Sequence, residues 1–116
     1  MRIDIDDADT DVGGVKLYED TPYTGEIVET DGLGNLIWLG TYTGGYEDGL
    51  FREWFSDGRP KSEGEVKRGV GRVGSWRTWH PNGQLASEDV FGIDGKLQVQ
   101  RRWSEDGEQT EPRPRA

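Results

Sequence analysis

The chain has no cysteine. Disulfides, thiolate metal sites and cysteine nucleophiles are thereby excluded, and the absence fits a cytoplasmic protein. Histidine is nearly absent too, with His80 the only one. Ser75 lies close to it in sequence but in an ordinary strand position, so no catalytic triad is expected. No apolar run approaches the length of a transmembrane helix. Met1 leads into Arg2-Ile3-Asp4-Ile5-Asp6-Asp7 without an apolar stretch, so no signal peptide is expected. Sustained 3.6-residue periodicity is missing, which predicts almost no helix. Hydrophobic residues are scarce, at 31%, and mean hydropathy is −0.87. Such values point toward disorder. Five Trp, four Tyr and three Phe point the other way, because a few large aromatics can carry the burial that many aliphatics normally supply. At 116 residues the chain is one domain.

Positive charge is also in deficit: the net charge is −9. Nucleic acids and anionic membranes reward cations, so neither is an expected partner. A basic protein is. The charge is uneven, with ten acids and two bases over residues 1–31 and six bases against two acids over residues 59–77. Asp4, Asp6, Asp9 and Asp11 superficially resemble a calcium loop, but they lack its central Gly and closing Glu. The glycine-rich stretch 69–74 has no following helix to make it a phosphate loop. No metal or cofactor is expected, and no enzymatic activity.

Glycine is abundant, with eighteen residues. Gly34, Gly58, Gly83 and Gly107 recur at steps of 24, 25 and 24 residues, and a period in this range signals a repeat architecture. Three of them close a shared phrase. Arg52, Arg77 and Arg101 stand six residues before them, Trp54, Trp79 and Trp103 four before, and Asp or Asn one before. Asp-Gly or Asn-Gly between alternating apolar residues marks a β-hairpin. Pro81 suits the first central position of a type I turn. A three-residue loop closed by a left-handed Gly then pairs Trp54 with Pro60 and Trp79 with Leu85.

The predicted fold is all-β: an antiparallel meander of hairpins forming an elongated twisted sheet. Residues 25–108 carry the repeats. Residues 1–24 are an acidic segment, read as a fraying terminus or a capping strand, and residues 109–116 a disordered tail. Strict alternation from the turns places Leu50, Trp54, Pro60, Val66, Trp79, Leu85 and Phe91 on one apolar face. Leu36, Trp38, Tyr42, Val99 and Trp103 join them. The other face collects Phe51, Glu53, Phe55, Glu63, Glu65, Trp76 and Glu88. Two readings of that mixed face stand: it packs on the N-terminal segment, or its aromatics among charges form an interface. The Arg column has two readings as well, stacking on the neighbouring indoles or receiving acidic groups of a partner.

The phrases from Gly49 to Glu63 and from Gly74 to Glu88 resemble MORN-variant repeats, in which a Gly precedes an aromatic strand, an Asn-Gly or Asp-Gly turn, and a short strand carrying Ser-Glu. The resemblance spans about residues 25–108. Bacterial proteins built of such repeats include the YwqK-type antitoxins, immunity partners of polymorphic toxins. The resemblance implies an immunity protein that binds a cognate toxin domain, a nuclease with a basic cleft being the first expectation, and blocks it. Phe51, Glu53, Phe55, Glu63, Trp76 and Glu88 are the expected partner-binding residues. The alternative is a MORN-like scaffold or membrane-associated module.

Overall fold

The computed structural model describes residues 1–111. Within them the chain is all-β apart from one 3₁₀ turn, Ile5–Asp7. No described helix is long and apolar enough to cross a membrane. The strands are β1 (Arg2–Asp4), β2 (Asp9–Thr10), β3 (Lys16–Tyr18), β4 (Thr21–Pro22), β5 (Gly25–Thr30) and β6 (Leu36–Thr43), then β7 (Tyr46–Trp54), β8 (Pro60–Lys67), β9 (Gly71–Trp79), β10 (Leu85–Phe91), β11 (Leu97–Trp103) and β12 (Gln109–Glu111). Nine of them form one open sheet in the order β1-β5-β6-β7-β8-β9-β10-β11-β12, and β2-β3-β4 form a small second sheet.

From β5 to β12 every pairing is antiparallel, as a meander requires. β1 departs from it by pairing parallel with β5. The acidic N-terminal segment is therefore an ordered cap, not a fraying end. The predicted disordered tail begins as strand β12, and residues 112–116 lie outside the described residues.

The repeating glycines close identical turns. Gly34, Gly58, Gly83 and Gly107 have φ of 84°, 89°, 90° and 88°, values a residue with a Cβ adopts only at a cost. In the second, the Phe55 N–H donates to the Arg59 carbonyl and the Gly58 N–H to the Phe55 carbonyl. The same pair of bonds recurs from Asp31, His80 and Ser104, and also from Asp11 and Gly92, where no repeat was expected. The carboxylate or amide oxygen of Asp57, Asn82, Asp94 or Asp106 accepts the N–H two residues on, fixing the loop as an Asx turn does. In the first repeat Asp31 takes this role. Its carboxylate accepts from the Asn35 backbone and side chain and from Leu33, which lowers its pKa to about 2.

Trp54 pairs with Pro60 and Trp79 with Leu85, as the three-residue loop demands. Alternation then breaks. Each second strand carries one extra residue, at the third position after its turn glycine: Ile37, Lys61, Ala86, Gln98 and Thr110. A bulge sets two residues opposite one, and a one-residue slip sends every following side chain to the other face.

The predicted faces are corrected accordingly. Directly paired residues share a face. Trp38, Tyr42, Val66 and Phe91 leave the Trp54 face and join Phe51 and Trp76. Glu63, Glu65 and Glu88 cross the other way, to the face of Leu50, Arg52 and Arg77. Trp54, Trp79 and Trp103 remain together, two residues beyond Arg52, Arg77 and Arg101 on their strands.

The core lies on the Phe51–Trp76 face. Ile27 is fully buried and packs with Ile3, Tyr23 and Tyr42. Ile5, Ala8 and Tyr18 of the N-terminal segment close over them, together with Trp38. An aromatic row continues the core along the sheet. Trp38 meets Phe51 edge-on at 6.5 Å, and Phe51 meets Trp76 at 5.2 Å. Arg72 covers Trp76 at 4.4 Å from its ring centroid.

Glu47, opposite Tyr42, sits at the edge of this core. Burial raises its pKa, offset in part by nearby Arg72. A carboxyl whose folded pKa is raised loses stability as pH climbs from its unfolded to its folded value. Glu47→Gln is therefore expected to raise the melting temperature at pH 7 and to change it little below the usual carboxylate range. A thermal-melt series across pH checks this.

Candidate functional site

The six expected partner-binding residues do not form one surface. Phe51, Glu53 and Trp76 lie on the core face, while Glu63 and Glu88 lie on the opposite one. Phe55 sits at the root of its turn, with the Lys61 ammonium 5.8 Å from its ring centroid. Trp76 cannot be an exposed anchor. Only 8% of it is accessible, its indole N–H donates to the Glu65 carbonyl at 3.0 Å, and its ring lies against Gly64. Phe51 and Trp76 pack on each other, on Trp38 and on Gly64, whereas the N-terminal segment packs on the cluster of Ile27 and Tyr42.

The other face buries Val28 on β5 and Leu39 on β6, and from β7 onward it is half-buried to exposed. Across it runs one row of directly paired residues: Arg52 on β7, Glu63 on β8, Arg77 on β9, Glu88 on β10 and Arg101 on β11. The signs alternate because each repeat supplies one Arg on its first strand and one Glu on its second. The bulge brings the two to one face. Arg77 lies 3.8 Å from Glu63 and 2.9 Å from Glu88, and Arg101 lies 2.8 Å from Glu88.

This answers the question of the Arg column. The stacking arginines are Arg72, on Trp76, and Arg68, on Tyr46. Arg77 and Arg101 instead hold glutamates of their own chain. Arg52 makes no ion pair among the described residues and stays exposed.

Glu88 is the keystone, bridging two guanidiniums while only 16% of its side chain is accessible. Charged hydrogen bonds are worth more than neutral ones, but solvent screens the two half-exposed arginines. Glu88→Gln is expected to destabilise by about 1–2 kcal/mol, with the loss shrinking at high salt. Urea unfolding at two salt concentrations measures it.

Beside this row run the indoles of Trp54, Trp79 and Trp103, all half-buried, with Pro60 and Leu50 exposed among them. A shallow depression of 470 Å³ opens where Leu50, Arg52, Glu63, Glu65, Val73 and Ser75 meet. Its groups can stack, cover apolar surface and exchange charged hydrogen bonds, which is the chemistry of protein recognition.

His80 serves the fold. Its Nε2 donates to the Trp103 carbonyl at 2.8 Å. The Asn82 amide donates to the Glu105 carbonyl and Arg59 to the Pro81 carbonyl, so the Gly58 turn is latched to the Gly83 turn and that one to the Gly107 turn. Among the described residues, no group of three or more His, Cys, Asp or Glu could hold a metal ion. Comparison of the chain with family models, curated proteins and solved structures finds no match.

Proposed function

We propose that this chain is a protein-binding module, an immunity protein that acts in the cytoplasm by docking on a cognate toxin domain and covering its active site or substrate path. One observation carries the reading. The N-terminal layer packs on one side of the sheet, while the other side from β7 onward carries three half-buried indoles and an alternating charge row that can receive a partner. Apolar surface rimmed by polar groups marks interaction sites, and Trp and Arg dominate interface energetics. The MORN-variant resemblance supplies the immunity role. The net charge of −9 favours a basic target such as a nuclease and speeds its approach.

The test is co-expression with the toxin domain encoded beside it, followed by binding kinetics. Trp79→Ala is expected to shorten the complex's lifetime by roughly tenfold or more, as hot-spot truncations do. Arg52→Ala should weaken binding without lowering the melting temperature, because the Arg52 side chain holds no partner among the described residues. Unchanged dissociation in both variants would remove this face from the interface. Failure of the wild type to bind or protect would remove the immunity role.

A further inference from the structure

On the core face, beyond the edge of the N-terminal layer, three residues stand abreast: Glu29 on β5, Trp38 on β6 and Glu53 on β7. Trp38 is the direct pairing partner of both glutamates. Adjacent strands are ~4.8 Å apart, so the two carboxylate-bearing strands flank the indole at ~10 Å from each other. A cleft of 610 Å³ opens over this trio, with Ile5 of the 3₁₀ turn, Phe55 and Lys61 among its other lining residues.

Both glutamates are half-buried, and neither carboxylate makes a hydrogen bond or ion pair within the described chain. Other carboxylates in comparable sheet positions do. Glu26 holds Arg2, Glu63 and Glu88 hold Arg77, and Asp89 holds Arg102. A half-buried carboxylate is completed by a cation or a hydrogen-bond donor. The lining aromatics are suited to a cation. Lys61 already places its ammonium over the Phe55 wall, and among the described residues no cation pairs with the two carboxylates or stacks on Trp38.

We infer that this cleft is a receptor for a guanidinium group, the side chain of an arginine on the protein partner. A guanidinium is planar and stacks on an indole, and its forked N–H donors match carboxylates on either side. A compact metal cation would need several converging oxygens, and an indole stands between these two carboxylates. The inference deepens the proposed function and rests on it only for the identity of the protein that carries the arginine. Trp54 also lines the cleft, so the cleft adjoins the indole face.

The probe is N-acetyl-arginine amide, titrated into the ¹⁵N-labelled full chain, with N-acetyl-citrulline amide as the uncharged isostere. The arginine compound is expected to shift the Trp38 indole and the Glu29 and Glu53 amide resonances saturably. The citrulline compound should leave them in place. In Glu29→Gln/Glu53→Gln the affinity should fall at least tenfold, while the melting temperature is held or raised because two unpaired charges are gone. Equal shifts from both compounds, or no saturable shift at Trp38, would overturn the inference. Toxin binding separates the two claims. Arginine binding without any toxin binding leaves the cleft and removes the immunity role. Undiminished toxin binding by the double variant, with no arginine binding, does the reverse.

Discussion

Gly64→Ala is expected to destabilise the protein by about 2–3 kcal/mol, the upper range for overpacking a filled core. Gly64 has ordinary strand geometry and pairs with Phe51. The reason it must be glycine lies across the sheet. A Cβ there would come within 2.2–2.6 Å of three atoms of the Trp76 ring, closer than any real contact. Trp76 cannot withdraw. Phe51 backs one side of it, Arg72 covers it, and its N–H is tied to the Glu65 carbonyl. Urea unfolding should show the loss. Gly83→Ala provides the contrast. Gly83 has φ of 90° but nothing within 4 Å of its Cβ position, so only backbone strain opposes the change, about 1–2 kcal/mol.

Trp76→Ala is expected to have the largest effect of any substitution considered, about 3–5 kcal/mol, as for other buried aromatics. It empties the space between Phe51 and Gly64 and leaves the Glu65 carbonyl without its donor. The two sites share one contact, so they should couple. In the Trp76→Ala background, Gly64→Ala should cost less than about 1 kcal/mol, because the obstructing ring is gone and only adding the methyl remains. Additive losses would show that the ring does not lie on Gly64.

The turns were legible in the sequence because their chemistry is local. Asp-Gly and Asn-Gly dictate loop length, and loop length dictates that Trp54 meets Pro60. The face assignment was not legible, since it depends on one inserted residue per hairpin. Lys61 and Ala86 carry no side-chain mark of a bulge. A period-2 reading runs straight through them and inverts every residue that follows. One signal was available. Strict alternation puts Gly64 in the Trp54–Pro60 set and Trp76 among charges on the opposite face, giving a large buried aromatic no site to fill. A glycine in mid-strand marks a bulge or a close approach, and pairing Gly64 with Trp76 would have corrected the register.

The turns at Gly14 and Gly95 escaped because Gly14 precedes the first repeating glycine and Gly95 falls inside the last 24-residue step, although Asp94-Gly95 is itself a turn signal. The parallel pairing of β1 with β5 has no local signature. It is set by Ile3 packing on Ile27, a contact between segments 24 residues apart.

For the candidate site, the residue types were right and their grouping was wrong. Glu63 and Glu88 belong to the exposed charge row, but with arginines of their own chain between them. Glu53 and Phe55 belong to a cleft whose other members, Glu29 and Trp38, lie in the degenerate first repeat, where no shared phrase drew attention to them.

The central claim is that the core lies on the Trp76 side of the sheet and that the Trp54, Trp79 and Trp103 side is left free for a partner. Hydrogen exchange of the five indole N–H groups, followed by NMR, tests it most directly. Trp76, bonded to a carbonyl inside the core, should exchange as slowly as the central strand amides. Trp54, Trp79 and Trp103 should exchange orders of magnitude faster, as groups open to water do. Slow exchange at those three with fast exchange at Trp76 would place the core on the other face and contradict the account.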